Sequence, residues 1–306
     1  MRYTLTPLVS VEVQITHGLE PTWMFKSLRG IVTTWPSSRP EMTNVIPSWR
    51  HPHLSRLAPG LENWGMRIAD KAVLVTGANR GIGQALVEEA LRRGAKRVYA
   101  GTRQQLAHPD GRVTPLTMDV TNAAQIQAAV DSVDALDVLV NNAGLQPYDD
   151  LSDRSVLEQS LAVNLFGPYS VTQAFLPLLT RSRGAVVNNV SLLALAPVPL
   201  FPAYAISKAA AFNMTQSLRA LLAGRGVTVH AVLTGPTDTD MTRGFDIPKA
   251  APESVARAIF DGVENGEEDI FPDPMSAAMA HGWRSGVAKA LERENAALVQ
   301  VSRDAA

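Results

Sequence analysis

The chain has 306 residues, 46% of them hydrophobic, a formal net charge of −1 and no cysteine. That is enough apolar material for one large α/β domain or two small ones, and it excludes disorder of the whole chain. The near-neutral charge gives no general reason to bind nucleic acid or an anionic membrane, and the missing thiols exclude disulfides, thiolate catalysis and cysteine-ligated metals.

No run reaches the roughly eighteen apolar residues that span a bilayer, and the N-terminus lacks a charged start followed by an apolar segment. The chain therefore reads as cytoplasmic, with no membrane partner and no metal site. Residues 1–65 differ from the rest of the chain: Pro7, Pro21, Pro36, Pro40, Pro47, Pro52 and Pro59 prevent a long helix, and four tryptophans recur without a period. Only Tyr3 to Thr16 alternates like a strand. Scattered acids and prolines argue against a mitochondrial presequence. The expectation is a poorly ordered appendage, or a start assigned too far upstream with Met66 as the alternative start, and a single domain over 66–306.

From Lys71 the pattern becomes regular. Ala72 to Val75 is a short apolar run, closed by Thr76-Gly77-Ala78-Asn79-Arg80-Gly81-Ile82-Gly83 and followed by a helical stretch from Gln84 to Arg93. Strand, glycine turn and helix in that order put backbone N–H groups at the positive end of a helix, where a pyrophosphate binds. The turn lacks the Gly-Lys-Ser/Thr ending of a nucleoside-triphosphate loop.

Further strands are expected at Arg97–Thr102, Val113–Val120, Leu136–Val140, Gly184–Leu193, Val227–Leu233 and Glu268–Pro272. Between them lie helices at Thr121–Val133 behind a Thr121 or Asn122 cap, at 151–180 with irregularities at Pro168 and Pro177, after Tyr204, and at Pro252–Glu264. A last helix is expected over Ser276–Val301. Continuous apolar strands alternating with helices predict a Rossmann-type doubly wound parallel sheet of about seven strands, helices on both faces, with ligands beyond the carboxyl ends of the strands. Asp119, Asn141 to Gly144 and Thr234 to Thr239 fall at such ends. The segment from 236 to 250 has no clear period and is expected to close over a site.

In Tyr204-Ala-Ile-Ser-Lys208 the tyrosine and lysine are four apart, so on a helix they share a face. A nearby ammonium favours phenolate, and the pair is a candidate proton-transfer device whose phenol pKa is expected to move down towards neutrality.

Taken together, these motifs resemble the short-chain dehydrogenase/reductase family, in its short single-domain branch, from Met66 to about Pro274. The resemblance rests on Thr76-Gly-X-X-X-Gly81-X-Gly83, Asp119-Val120, Asn141-Asn142-Ala143-Gly144, and the steps of thirteen residues from Ser191 to Tyr204 and four to Lys208. It implies a catalytic set of Asn164, Ser191, Tyr204 and Lys208. It also implies a cofactor site of Gly77, Asn79, Arg80, Gly81, Ile82, Gly83, Thr102, Arg103, Asp119, Val120, Asn142, Ala143, Gly144, Tyr204, Lys208, Gly235, Thr237 and Thr239. In those roles Tyr204 exchanges the proton, Ser191 positions the substrate oxygen, and Asn164 anchors a water linking Lys208 to solvent. One departure stands out: Thr234-Gly235-Pro236 replaces the family's Pro-Gly.

The expected reaction interconverts a carbonyl and an alcohol, in a homodimer or homotetramer acting on a small molecule. Thr102 and Arg103 occupy the end of the second strand where an NAD binder commonly has an acid, and Arg80 adds a second guanidinium, so NADP(H) is expected over NAD(H). The competing readings are an NAD-preferring alcohol dehydrogenase, a sugar-nucleotide epimerase, which the glycine spacing disfavours, and a cofactor-binding sensor without chemistry, which has no need for Tyr204 and Lys208.

Overall fold

The computed structural model describes residues 65–304, and the expectations for residues 1–64, including the strand-like stretch from Tyr3 to Thr16, lie outside it. The strands are β1 (Ala72–Thr76), β2 (Arg97–Thr102), β3 (Val113–Thr117), β4 (Val138–Asn141), β5 (Ala185–Asn189), β6 (Thr228–Val232) and β7 (Asp269–Ile270). All pair in parallel in the order β3-β2-β1-β4-β5-β6-β7. The helices are α1 (Gly81–Arg92), α2 (Ala123–Asp131), α3 (Arg154–Leu161), α4 (Gly167–Ser182), α5 (Pro202–Ala223), α6 (Pro252–Glu264), α7 (Pro274–Arg284) and α8 (Val287–Asp304).

Side chains alternate across the sheet with period two, and both faces are covered. Val73, Val75, Val138 and Val140 join Leu86 and Ala90 of α1 and Ile259 and Phe260 of α6 in one core. Leu74, Leu139 and Val186 join Ile126 of α2, Phe175 and Leu179 of α4 and Leu218 of α5 in the other. This double burial is why the strands read as unbroken apolar runs. Strand order reverses between β1 and β4, so a crevice opens there at the carboxyl ends.

Several expected boundaries move for local reasons. The third strand stops at Thr117 because the Asp119 carboxylate accepts the backbone N–H and hydroxyl of Thr121, turning the chain into α2, which Asn122 caps through Gln125 N–H. The fifth stops at Asn189, ahead of a short 3-10 turn at Leu192–Ala194 whose Leu193 N–H donates to Ser191 Oγ. The long helix expected over 151–180 is α3 and α4 joined by a π-helical segment, Ala162–Phe166. Pro168 has no N–H to give the carbonyl of Asn164, and the helix widens just before it. Pro177 lies inside α4.

The single C-terminal helix is in fact two. Ser285 caps α7, and Trp283 packs at a tilt against Phe212 of α5 with ring centroids 5.4 Å apart while donating to Asp269 at 2.8 Å. The break at Ser285-Gly286 lets α8 turn back onto α5, where Arg219 pairs with Glu292. Among the described residues no helix is long and apolar enough to cross a membrane.

Candidate active site

The glycine turn is shaped by close approach as much as by backbone freedom. Gly77 and Gly81 take positive φ values of 66° and 54°, which favour glycine. Gly83 has no such need; a Cβ there would lie 2.0 Å from the Gly77 carbonyl oxygen and 2.6 Å from Asn142 Nδ2. Asn142 braces this turn: its Nδ2 donates to the carbonyls of Thr76 and Gly77, and Thr76 Oγ1 accepts the N–H groups of Asn142 and Ala143. The turn thus opens onto the N-terminus of α1, with the carboxyl ends of β1 and β4 locked together beneath it.

A cleft of about 1600 Å³ runs over these strand ends. Every residue expected at the cofactor site lines it, and so do Ser191, Tyr204 and Lys208. The glycine turn, Thr102, Arg103, Asp119 and Val120 form one end; Gly235, Thr237 and Thr239 come from the loop after β6, with Thr239 packed on Gly81. That loop is closed at its base, where Asp238 N–H donates to the Ala250 carbonyl and Ala250 N–H to that of Pro236, both at 2.9 Å.

Tyr204 and Lys208 share a face of α5 as their spacing requires, with Lys208 Nζ 5.6 Å from the centre of the Tyr204 ring. The helix starts at Pro202, and its first turn is capped from outside by Asp149, whose carboxylate accepts Ala203 N–H at 3.2 Å. Asn164 does not line the cleft. It is buried in the π-helical segment, accepts Leu145 N–H at 3.0 Å and donates to the Leu145 carbonyl and Ser207 Oγ, both at 2.9 Å. Around Gly144 it nevertheless comes close to Lys208: a Cβ there would be 3.1 Å from Asn164 Oδ1 and 3.7 Å from Lys208 Nζ.

The electrostatics correct one expectation. Burial pushes the Tyr204 phenol up to about 12, with a hydrogen bond to Ser191 pulling the other way, and burial pulls Lys208 down to about 8. The phenol does not move towards neutrality, because desolvation of the phenolate outweighs the Ser191 hydrogen bond.

Two of the selectivity residues already have partners. The Thr102 hydroxyl is buried and donates to the Gln104 carbonyl, and Arg80 pairs with Asp240 at 2.9 Å. Arg103 is exposed and close enough to Asp119 to add to the effect of Thr121, whose hydrogen bonds hold that carboxyl below its usual range.

The residue that sequence reasoning missed is Asn189. Its carbonyl accepts Lys208 Nζ at 2.8 Å, its Nδ2 donates to Asn142 Oδ1 at 3.0 Å, and its Oδ1 accepts the Thr234 hydroxyl at 2.6 Å. Thr234, the departure from the family's Pro-Gly, supplies that last bond. The signal was the pair Asn188-Asn189 closing a strand whose first three residues are apolar.

Residues 71–249 match the model of a known family, described as short chain dehydrogenase. The chain belongs to the short-chain dehydrogenase family. It is an oxidoreductase of that family on a Rossmann-type nucleotide-binding fold. Over 209 residues it is 33% identical to 2-(S)-hydroxypropyl-CoM dehydrogenase 3 of Xanthobacter autotrophicus, covering 63% of this chain and 82% of that one. Estradiol 17-beta-dehydrogenase 2 of Mus musculus is 36% identical over 197 residues, 59% of this chain and 51% of its own length. Among solved structures, a short chain dehydrogenase from Burkholderia cenocepacia J2315 in complex with NADP aligns with a TM-score of 0.68 at 36% identity, over 72% of this chain and 95% of that one.

Proposed function

We propose that this protein is an NADP-dependent oxidoreductase that interconverts a carbonyl and an alcohol, with Tyr204 as the general acid/base. The observation that carries the reading is the placement of Tyr204, Lys208 and Ser191 together on the wall of the cleft that starts at the glycine turn. The turn fits a dinucleotide: its glycines leave room for backbone to approach a pyrophosphate at the start of α1, and Asp119 and Val120 would flank the adenine. Arg103 would meet a ribose phosphate, as would Arg80 on exchanging Asp240 for it. The NADP complex of the Burkholderia relative supports the same cofactor. When bound, the nicotinamide supplies the hydride acceptor or donor and, oxidised, a positive charge.

The chain's own groups handle the proton. With its pKa near 12, Tyr204 is a phenol at neutral pH, able to donate to a carbonyl oxygen in the reducing direction. Ser191, bonded to Tyr204, holds the substrate oxygen against it, and Lys208, anchored on the Asn189 carbonyl, places positive charge beside the ring. Asn164, its side chain committed to Leu145 and Ser207, serves this reading by holding the wall behind Lys208.

Tyr204→Phe keeps the ring and removes the exchanged proton, so turnover should fall by at least about 100-fold while cofactor binding survives. Near wild-type turnover in the folded variant would refute the assignment. The partners already held by Thr102 and Arg80 favour a second reading, NAD preference, and kcat/KM with NADPH against NADH decides between them. On the NADP reading, Thr102→Asp with Arg103→Leu weakens NADPH and relatively favours NADH, each lost charged hydrogen bond being worth about 1.5–3 kcal/mol. The working form is proposed to be a homodimer or homotetramer, supported by exposed Phe166 and Tyr169 near the start of α4; light scattering that returns one chain's mass would refute it.

A further inference from the structure

At one end of the cleft Phe201 and Phe245 line the wall, and Tyr148, outside the lining, packs against both, so that three aromatic rings from three separate segments meet there. Tyr148 follows β4, Phe201 caps the start of α5 three residues before Tyr204, and Phe245 comes from the loop after β6. Their centroids lie 4.9 Å apart for Tyr148–Phe201, 5.6 Å for Phe201–Phe245 and 6.0 Å for Tyr148–Phe245. The first two are held in register by Asp149, which caps α5 beside Phe201. Beside the rings, Leu200, Met241, Ile247 and Met275 also line the cleft, each 43% or more exposed to water. Exposed apolar side chains gathered around one opening mark a binding surface.

Charge is distributed unevenly along the cleft. Among the described residues the lysines and arginines lining it are Arg80, Arg103 and Lys208. The first two belong to the glycine turn and the end of β2, and the third is bonded to the Asn189 carbonyl. The loop that carries Phe245 contributes Asp240, already paired with Arg80 and Arg243, and Asp246. Arg80 and Arg243 are both engaged by Asp240, so an anionic substrate would have to displace one of these pairs and would meet the Asp246 carboxylate besides.

We infer that this end of the cleft is the substrate subsite and that its ligand is an uncharged ketone or secondary alcohol carried on a bulky apolar ring body. The inference rests on the proposed carbonyl–alcohol chemistry, because continuity with Ser191 and Tyr204 is what makes the rings a substrate wall. Phe201 and Phe245 face the body of the substrate, and Tyr148 supports both rings from outside the cleft.

The test is kcat/KM for reduction of 1-tetralone, acetone and 4-oxopentanoate by the full chain, with NADPH and with NADH. Isothermal titration of 1-tetralone runs alongside. 1-Tetralone should exceed both small carbonyls by at least about 100-fold, the discrimination that a few apolar contacts give. Phe245→Ala and Leu200→Ala, checked for folding by circular dichroism, should raise KM for 1-tetralone about tenfold or more and leave acetone unchanged. Higher kcat/KM for 4-oxopentanoate or acetone, or equal effects of the variants on both ketones, would overturn the inference. If no carbonyl is reduced, the carbonyl–alcohol reading fails, and the titration then decides the subsite: binding weakened by Phe245→Ala supports it, and no binding of 1-tetralone overturns it.

Discussion

Asn189 joins the ends of three strands with one side chain and one carbonyl: Asn142 on the β4 side, Thr234 on the β6 side, and Lys208 above. Replacing it by valine, of similar bulk, keeps the strand but leaves Asn142 Oδ1 and the Thr234 hydroxyl without this partner and frees the backbone that anchors the ammonium. Asn189→Val should lower kcat about tenfold, the effect of a lost hydrogen bond, and displace the alkaline limb of the pH–rate profile, while cofactor Kd changes less than about threefold. An unchanged pH profile would show that Asn189 serves the fold alone. Tyr204 and Lys208 were legible in the sequence because a helix turns their spacing into a shared face, and the glycine turn because its parts are consecutive. Asn189 and Asp240 were not: the first acts on Asn142, 47 residues away, and the second on Arg80, 160 residues away. Nor was the direction of the Tyr204 shift, because spacing shows that an ammonium is near but not how deeply both groups are buried.

At the scale of elements, the end of the sheet beyond β6 is held by charge. Fully buried Lys289 of α8 pairs with Asp269 at 2.6 Å and Glu292 at 2.8 Å, and Arg219 of α5 pairs with both acids as well. Burial alone would raise Asp269, but Arg219 and Lys289 hold it below the usual carboxylate range. Next to this cluster, facing Arg219, Asp269 and Glu268, His230 of β6 is buried between the Glu267 carbonyl and Thr228 Oγ1, and burial pulls it down to about 4. Because the folded pKa of His230 is depressed, the unfolded chain binds its proton first; stability is full above about 6.5 and falls as pH drops towards 4, by roughly 3 kcal/mol. Asp269 contributes in a lower window, its stabilisation being lost as pH falls below its unfolded value of 3.8. Denaturant unfolding between pH 7 and 4 should show the His230 loss, and His230→Gln should flatten it. A wild type equally stable at both ends would contradict the assignment. The helices themselves could be read from periodicity, yet the break between α7 and α8 could not, since it depends on Trp283 reaching Phe212 and Asp269 across the fold.

At the scale of the whole molecule, the seven-stranded fold was readable because burial on both faces leaves a continuous apolar signature at every central strand, whereas residues 1–65 carry no such signature. The packing of the domain begins at its own first residues. Met66 packs against the core beneath α1 and α6, Ile68 is fully buried, and Ile68 N–H donates to the Glu264 carboxylate at 2.9 Å. Among the described residues both large cores are assembled from Ile68 onwards, and the strand ends that carry the cleft are all downstream. We therefore propose that the domain is self-sufficient from Met66 and that deleting residues 1–65 leaves cofactor affinity and turnover unchanged. The melting temperature should move by no more than about 3 °C, which for a domain of this size corresponds to about 1 kcal/mol. A larger fall, or loss of soluble protein with the tyrosine site intact, would mean that the segment before Met66 is part of the folding unit and that an absent apolar period is no guide to dispensability here.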